Sequence, residues 1–147
     1  MPDQTTEVLL VEDSADDVAF FIRTFERAGL TARLRAIPDG AEALEFLFAT
    51  GRYVGRNPAI KPKLIVLDLK LPKVSGLEVL RRLKGAPETK SIPVVVLSSS
   101  QEERDLIESY TLGVNSYVVK PMDFDQFAAS VQALVLYWLQ FNQTPKR

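Results

Sequence analysis

Apolar residues fall into two patterns that alternate along the chain: short unbroken runs, and longer stretches carrying a stripe of helical period. Val8–Val11, Leu64–Leu67 and residues 94–97 are unbroken runs, as expected for strands buried on both faces of a parallel sheet. Ser116–Val119 is a shorter run and reads as a fifth strand. Residues 32–37 are interrupted by Arg33 and Arg35, which suits an edge strand with one face in water. Between the runs lie helices. Val18, Phe21, Ile22 and Phe25 stand at i, i+3, i+4 and i+7, one core-facing stripe, and Gly29 is the natural stop. Ser14 with Asp17, Asp39 with Glu42, Ser75 with Glu78 and Ser100 with Glu103 each place an acid three residues after a capping side chain, the mark of a helix start. The helices that follow carry Leu44, Phe46 and Leu47, then Leu77, Leu80 and Leu83, then Leu106, Ile107 and Tyr110 before Gly113. Residues 51–63 form a loop with two glycines and two prolines. Asp123 opens a last helix, expected to extend over 123–141.

Five strands alternating with five helices predict an α/β protein with an open, doubly wound parallel sheet covered on both faces. The expected arrangement is the flavodoxin-like one, strand order 2-1-3-4-5, in a single domain over 1–147 with its core at 7–141. A chain of 147 residues suits one sizeable core. In such a sheet every strand's carboxyl end lies on one edge, and ligands sit there where the strand order reverses.

Composition narrows the chemistry. Eighteen basic and nineteen acidic residues leave a net charge of −1, so there is no electrostatic case for nucleic acid or a membrane surface. Cysteine is absent, which excludes disulfides, thiolate catalysis and thiolate metal sites. Histidine is absent too, which excludes a phosphohistidine carrier, a His-based triad and a His-ligated zinc. Met1 to Thr6 is polar and lacks the apolar centre of a signal peptide. No apolar run is long enough to span a bilayer. A cytoplasmic location is expected.

The informative polar residues stand at the strand ends. Strand one runs into Glu12 and Asp13, strand three into Asp68, strand four into Ser98, and strand five into Lys120 and Pro121. If the order is 2-1-3-4-5, Glu12, Asp13 and Asp68 converge in one crevice. Crowded carboxylates repel unless a cation sits among them, and an all-oxygen set suits Mg²⁺ or Mn²⁺. Lys120 would add a compact positive charge, and the Ser98 hydroxyl a hydrogen bond to a phosphoryl oxygen. A carboxylate can attack phosphorus to give an acyl phosphate, with surrounding charge stabilising the transfer. Asp68, alone at the end of a central strand, is the best nucleophile, and Glu12 with Asp13 the better metal pair. Each residue also has a plain reading: a solvated turn for Glu12 and Asp13, a strand-end turn for Asp68, a helix cap for Ser98, a surface lysine for Lys120, a core ring for Tyr117. Their joint placement at one edge favours the chemical reading.

The segments Val11-Glu12-Asp13-Ser14, Leu67-Asp68-Leu69-Lys70-Leu71-Pro72 with Gly76, Val96-Leu97-Ser98-Ser99-Ser100 and Tyr117-Val118-Val119-Lys120-Pro121 resemble receiver domains of two-component response regulators. The resemblance covers the chain from about Glu7 to Phe141. It implies phosphorylation of Asp68 by a sensor histidine kinase, and a metal held by Glu12, Asp13, Asp68 and the Lys70 backbone carbonyl. It implies Ser98 as a switch hydroxyl coupled to Tyr117, which would move inward on phosphorylation, Lys120 on the phosphoryl group, and a cis Lys120–Pro121 bond. Many members carry two aspartates where this chain has Glu12-Asp13. Lys70, two residues past the acceptor, is also unusual and bears on how long the acyl phosphate survives attack by water. The 51–63 loop and the Tyr137-Trp138-Leu139 tail resemble stand-alone regulators paired with phytochrome-type photoreceptor kinases.

Other functions fit less well. A flavin carrier would want a phosphate-cradling loop after strand one, where this chain has Glu12-Asp13-Ser14-Ala15-Asp16-Asp17. A phosphohydrolase with an aspartate nucleophile would want an acid at position 70. There is no Walker-type loop. A pseudo-receiver that works without phosphorylation is the alternative that stays open. No output domain is expected after the last helix. Residues 133–139 are apolar without a break, more than one stripe requires, so a homodimer is expected through Leu136, Tyr137, Trp138 and Leu139, with the two rings as anchors.

Overall fold

A computed structural model describes residues 6–145; of the polar segment at the start of the chain, residues 1–5 lie outside the described residues. The elements are β1 (Val8–Val11), α1 (Ala15–Arg27), β2 (Leu34–Ile37), α2 (Gly40–Phe48), β3 (Leu64–Leu67), α3 (Gly76–Gly85), β4 (Val94–Ser98), α4 (Glu103–Leu112), β5 (Ser116–Val119) and α5 (Phe124–Leu136). The five strands are parallel, in the order β2-β1-β3-β4-β5. That is the flavodoxin-like order predicted above. No helix among the described residues is long and apolar enough to cross a membrane.

The strand period of two splits the apolar runs between two cores. Leu9, Val11, Ile65, Leu67, Val94 and Val96 point to one side and pack under α2 and α3. Val8, Leu10, Leu64, Val66, Val95 and Leu97 point to the other and pack under α1 and α5. The central strands β1, β3 and β4 are buried at every residue, whereas β2 and β5, at the edges, are mostly half-buried. β2 begins at Leu34 rather than at residue 32. The Arg33 carbonyl is shared by the N–H groups of Glu7 and Val8, which starts the ladder there.

Phe46 in α2 is fully buried, and the Arg56 guanidinium lies 4.1 Å from its ring centroid. Arg56 also donates to the carbonyls of Phe46 and Ile60, so the ring and the cation together pin the 51–63 loop onto the domain. Phe46→Ala removes both the core volume and the stacking surface. It is expected to cost about 3–5 kcal/mol, read as a lower urea midpoint with an unchanged slope.

The last helix departs from the expected continuous span. After Leu136 it widens into a π turn over Tyr137–Phe141, in which the Asn142 N–H bonds the Tyr137 carbonyl five residues back at 2.7 Å. Trp138 and Leu139 are half-buried and pack on the chain's own α1/α5 core. Leu136 is half-buried, while Tyr137 is 51% exposed and meets Trp138 edge to face. Two of the four expected interface residues thus cover their own domain.

Candidate functional site

Asp68 follows β3 directly, and its N–H bonds the Val11 carbonyl at the end of β1. That bond fixes Asp68 beside Glu12 and Asp13. The loop behind it is held by two glycines. Gly76 donates to the Leu69 carbonyl at 2.8 Å, and a Cβ at Gly76 would lie 2.2 Å from the Asp68 carbonyl oxygen. A Cβ at Gly40 would lie 2.0 Å from the Val74 carbonyl oxygen. Lys70 is exposed in this loop.

Glu12, Asp13 and Asp68 each offer a carboxylate oxygen, all within 4.8 Å of one another. Glu12 is 4% exposed. Its pKa is pushed up to about 7, first by burial and then by the nearby Asp68 charge, against the hydrogen bonds from Lys120 and Ser14. A buried carboxylate beside another one gives up its charge unless a cation is present, so this donor set fits a hard divalent ion with oxygen ligands. The sign of the pH effect follows. With no cation the folded chain keeps the Glu12 proton up to about pH 7, while the unfolded chain loses it in the ordinary carboxylate range. This group's contribution to stability is full below that range and is lost as pH rises through about 7. A cation must displace the same proton. Mn²⁺ affinity is therefore expected to climb with pH up to about 7 and then level off, as a titration by water-proton relaxation at several pH values will read.

Lys120 enters from the end of β5. Its N–H bonds the Ser98 carbonyl at 2.8 Å, so the ladder delivers Ser98 and Lys120 to the crevice together. Lys120 Nζ donates to Glu12 Oε1 at 2.5 Å and to Asp17 Oδ2 at 2.8 Å, and stands 3.5 Å from Asp68 Oδ2. Burial works against the ammonium charge, but the Asp17 and Glu12 hydrogen bonds and the Asp68 charge outweigh it and raise the pKa. The lysine stays charged at every physiological pH.

Ser98 is completely buried, and its Oγ accepts the Ser100 N–H at 3.2 Å. Tyr117 is already turned inward in this structure. Its ring packs on the α2/α3 core, and its hydroxyl donates to the Ser100 carbonyl at 3.0 Å. Burial raises the pKa of this phenol. Ser100 does not cap α4 as the sequence suggested. The cap position is Glu102, without a side-chain bond; the Ser100 hydroxyl instead bonds Asp105 at 2.5 Å and accepts the Glu102 N–H at 3.3 Å.

Two further corrections concern the site. No cis peptide bond occurs among the described residues, so Lys120–Pro121 is trans. The trans preference before proline is only about 0.5–1 kcal/mol, so surroundings choose the isomer. The second correction is Asp17, which sequence reasoning took for the acid of a capping box. Its N–H does bond the Ser14 Oγ at 3.3 Å. The Ser14 N–H, however, goes to Glu12 Oε2 at 3.1 Å, and the Asp17 carboxylate turns to Lys120. The available signal was Glu12 itself, an acid two residues before the cap that takes over the reciprocal bond.

A doubly wound parallel sheet with a metal-capable carboxylate group and a lysine at its switch point is the architecture of a receiver module. The chain belongs to the response regulator receiver domain family, whose profile matches residues 8–132. It is 39% identical over 138 residues to the response regulator Rcp1 of Synechocystis sp., covering 94% of this chain and 92% of that protein. It is likewise 39% identical over 138 residues to the probable methanogenesis regulatory protein FilR2 of Methanothrix harundinacea, covering 94% and 86%. The crystal structure of Mn²⁺-bound Rcp1 superposes with a TM-score of 0.89 at 38% identity, covering 96% of this chain and 99% of that one. The phosphorylated cyanobacterial phytochrome response regulator RcpA gives 0.89 at 35% identity over the same shares. Receiver domains bind Mg²⁺ or Mn²⁺, and among these relatives RcpA is a phytochrome response regulator.

Proposed function

We propose that the protein is a response regulator that takes a phosphoryl group from a sensor histidine kinase onto Asp68. The observation that carries this reading is the place of Asp68: its carboxylate belongs to a group of three whose oxygens lie within 4.8 Å of one another, and it stands 3.5 Å from the Lys120 ammonium. An Asp68 carboxylate oxygen forms the new P–O bond as the P–N bond to the donor imidazole breaks. Glu12, Asp13, Asp68 and the Lys70 carbonyl would hold Mg²⁺ or Mn²⁺, which supplies positive charge to the phosphoryl oxygens. Lys120 offers its remaining N–H to those oxygens, and Lys70 lies in the exposed loop beside them.

The Ser98 hydroxyl is the switch in this reading. Turned toward a phosphoryl oxygen, it gives up the Ser100 N–H. The loop before α4 then keeps the Ser100 bonds to Tyr117, Asp105 and the Glu102 N–H. Tyr117 follows the Ser100 carbonyl, and the change reaches α4, where Ile107 and Tyr110 are more than half exposed. Signalling proceeds through protein contacts on that face, in the cytoplasm. The chain dimerises through the last helix, with Tyr137 as the exposed anchor beside Trp138.

The direct test incubates the protein with Mg²⁺ and acetyl phosphate and weighs the intact chain. One phosphate adduct supports the reading; none under any donor leaves a pseudo-receiver. For the kinase, an autophosphorylated phytochrome-type histidine kinase is expected to transfer faster than an unrelated kinase, and equal rates would sink that pairing. Sedimentation at micromolar concentration is expected to show a dimer that Tyr137→Asp shifts toward monomer.

A further inference from the structure

Lys120 is served by more anions than its part in phosphoryl transfer requires. Glu12 at 2.5 Å and Asp17 at 2.8 Å take two of its three N–H groups, and the third faces Asp68 at 3.5 Å. Glu12 and Asp68 belong to the converging carboxylate group; Asp17 does not. An ammonium and a divalent cation that share Glu12 repel each other, so Glu12 cannot serve both at full strength. The Lys120 side chain is only 11% exposed and cannot be released to water without rearrangement. A cation left there without a partner is costly. Asp17 removes the conflict. The first turn of α1 fixes its backbone through the Ser14 cap, and from there its carboxylate reaches the lysine without entering the metal group.

We infer that Asp17 is a positioning residue that holds Lys120 while a divalent cation claims Glu12. It rests on the metal-dependent reading above and goes beyond it by assigning a role to a carboxylate outside the ligand set. Without Asp17, Glu12 is the one carboxylate hydrogen-bonded to the lysine, with Asp68 farther off at 3.5 Å, and the lysine competes harder for it. With Asp17, the ammonium can loosen its grip on Glu12 and still keep one N–H aimed at Asp68. Electrostatics alone would also make an acid near the site favour a cation, but that effect is independent of Lys120.

The two origins separate in a double-mutant cycle read by Mn²⁺ affinity. Water-proton relaxation at pH 8, above the shifted pKa of Glu12 of about 7, measures the wild type, Asp17→Asn, Lys120→Met and the double variant. Asp17→Asn is expected to weaken Mn²⁺ binding about three- to ten-fold in the Lys120 protein, the range for a partly exposed charged hydrogen bond. It is expected to do less than about two-fold in the Lys120→Met background, so the cycle shows coupling. Asp17→Glu restores most of the loss. Should Asp17→Asn fail to fold, Asp17→Ser takes its place in the same cycle. Equal losses in both backgrounds, no loss, or tighter binding in Asp17→Asn overturns the inference, as does a wild type that binds no Mn²⁺. Acyl phosphate formation is scored separately on the wild type. Mn²⁺ binding without phosphate uptake sinks the phosphoacceptor reading and leaves the cycle readable. Phosphate uptake with no coupling sinks Asp17 and leaves the phosphoacceptor reading standing.

Discussion

Asp68→Asn takes up no phosphate under conditions in which the wild-type chain gains one. The substitution keeps the shape of the side chain and removes its nucleophile, since an amide oxygen does not form a stable acyl phosphate. Intact mass after exposure to Mg²⁺ and acetyl phosphate checks it. The variant should still fold. Asp68 is one of two carboxylates that face Lys120 alongside Asp17, and the buried Glu12 beside it is relieved of a repelling charge. A thermal midpoint equal to or above that of the wild type is therefore expected in the absence of metal. A phosphate adduct that persists in Asp68→Asn would move the acceptor to another carboxylate, and Asp13, the exposed member of the group, would be the first to examine.

Gly76→Ala is expected to be among the most damaging single-methyl changes in the protein, with Gly40→Ala. The added carbon meets the Asp68 carbonyl oxygen at 2.2 Å and the Leu69 Cα at 2.5 Å. Both are backbone atoms and cannot swing aside as a side-chain tip would. Gly76 is also the first residue of α3 and is tied to the Leu69 carbonyl, so the helix start cannot retreat without breaking that bond. Overpacking of this kind costs about 3 kcal/mol, and here the strain falls on the peptide group of Asp68 itself. Two measurements should move together: a lower urea midpoint, and slower phosphate uptake at a temperature where the variant is still folded. A stability loss with uptake unchanged would mean that the loop relaxes away from Asp68.

The sequence made the central sheet legible to the residue at β1 and β3 because those strands are apolar at every position and the runs are too short for a buried helix. Given the strand order 2-1-3-4-5, the gathering of Glu12, Asp13, Asp68 and Lys120 followed from the polar residues at strand ends. What stayed hidden depends on side-chain direction. Asp17 and Ser100 both sit where capping rules expect them, yet each spends its side chain elsewhere, on Lys120 and on Asp105. The widening of α5 at Tyr137 has no mark in an unbroken apolar stretch, because helix periodicity does not distinguish a four-residue from a five-residue hydrogen bond. The isomer before Pro121 was equally out of reach, since the intrinsic preference of an X–Pro bond is small enough for tertiary context to decide it.

The bond between Glu12 and Lys120 joins residues 108 positions apart, and it has a consequence for synthesis. A chain emerging from the ribosome can shape β1, α1 and the acceptor loop early, but the lysine arrives only when β5 does. Contacts of such long sequence separation form late, after the loop between them has closed. A truncated or half-made chain thus displays its carboxylates without the ammonium that completes them. The charge balance of this crevice is therefore reached only when the last strand of the sheet is in place.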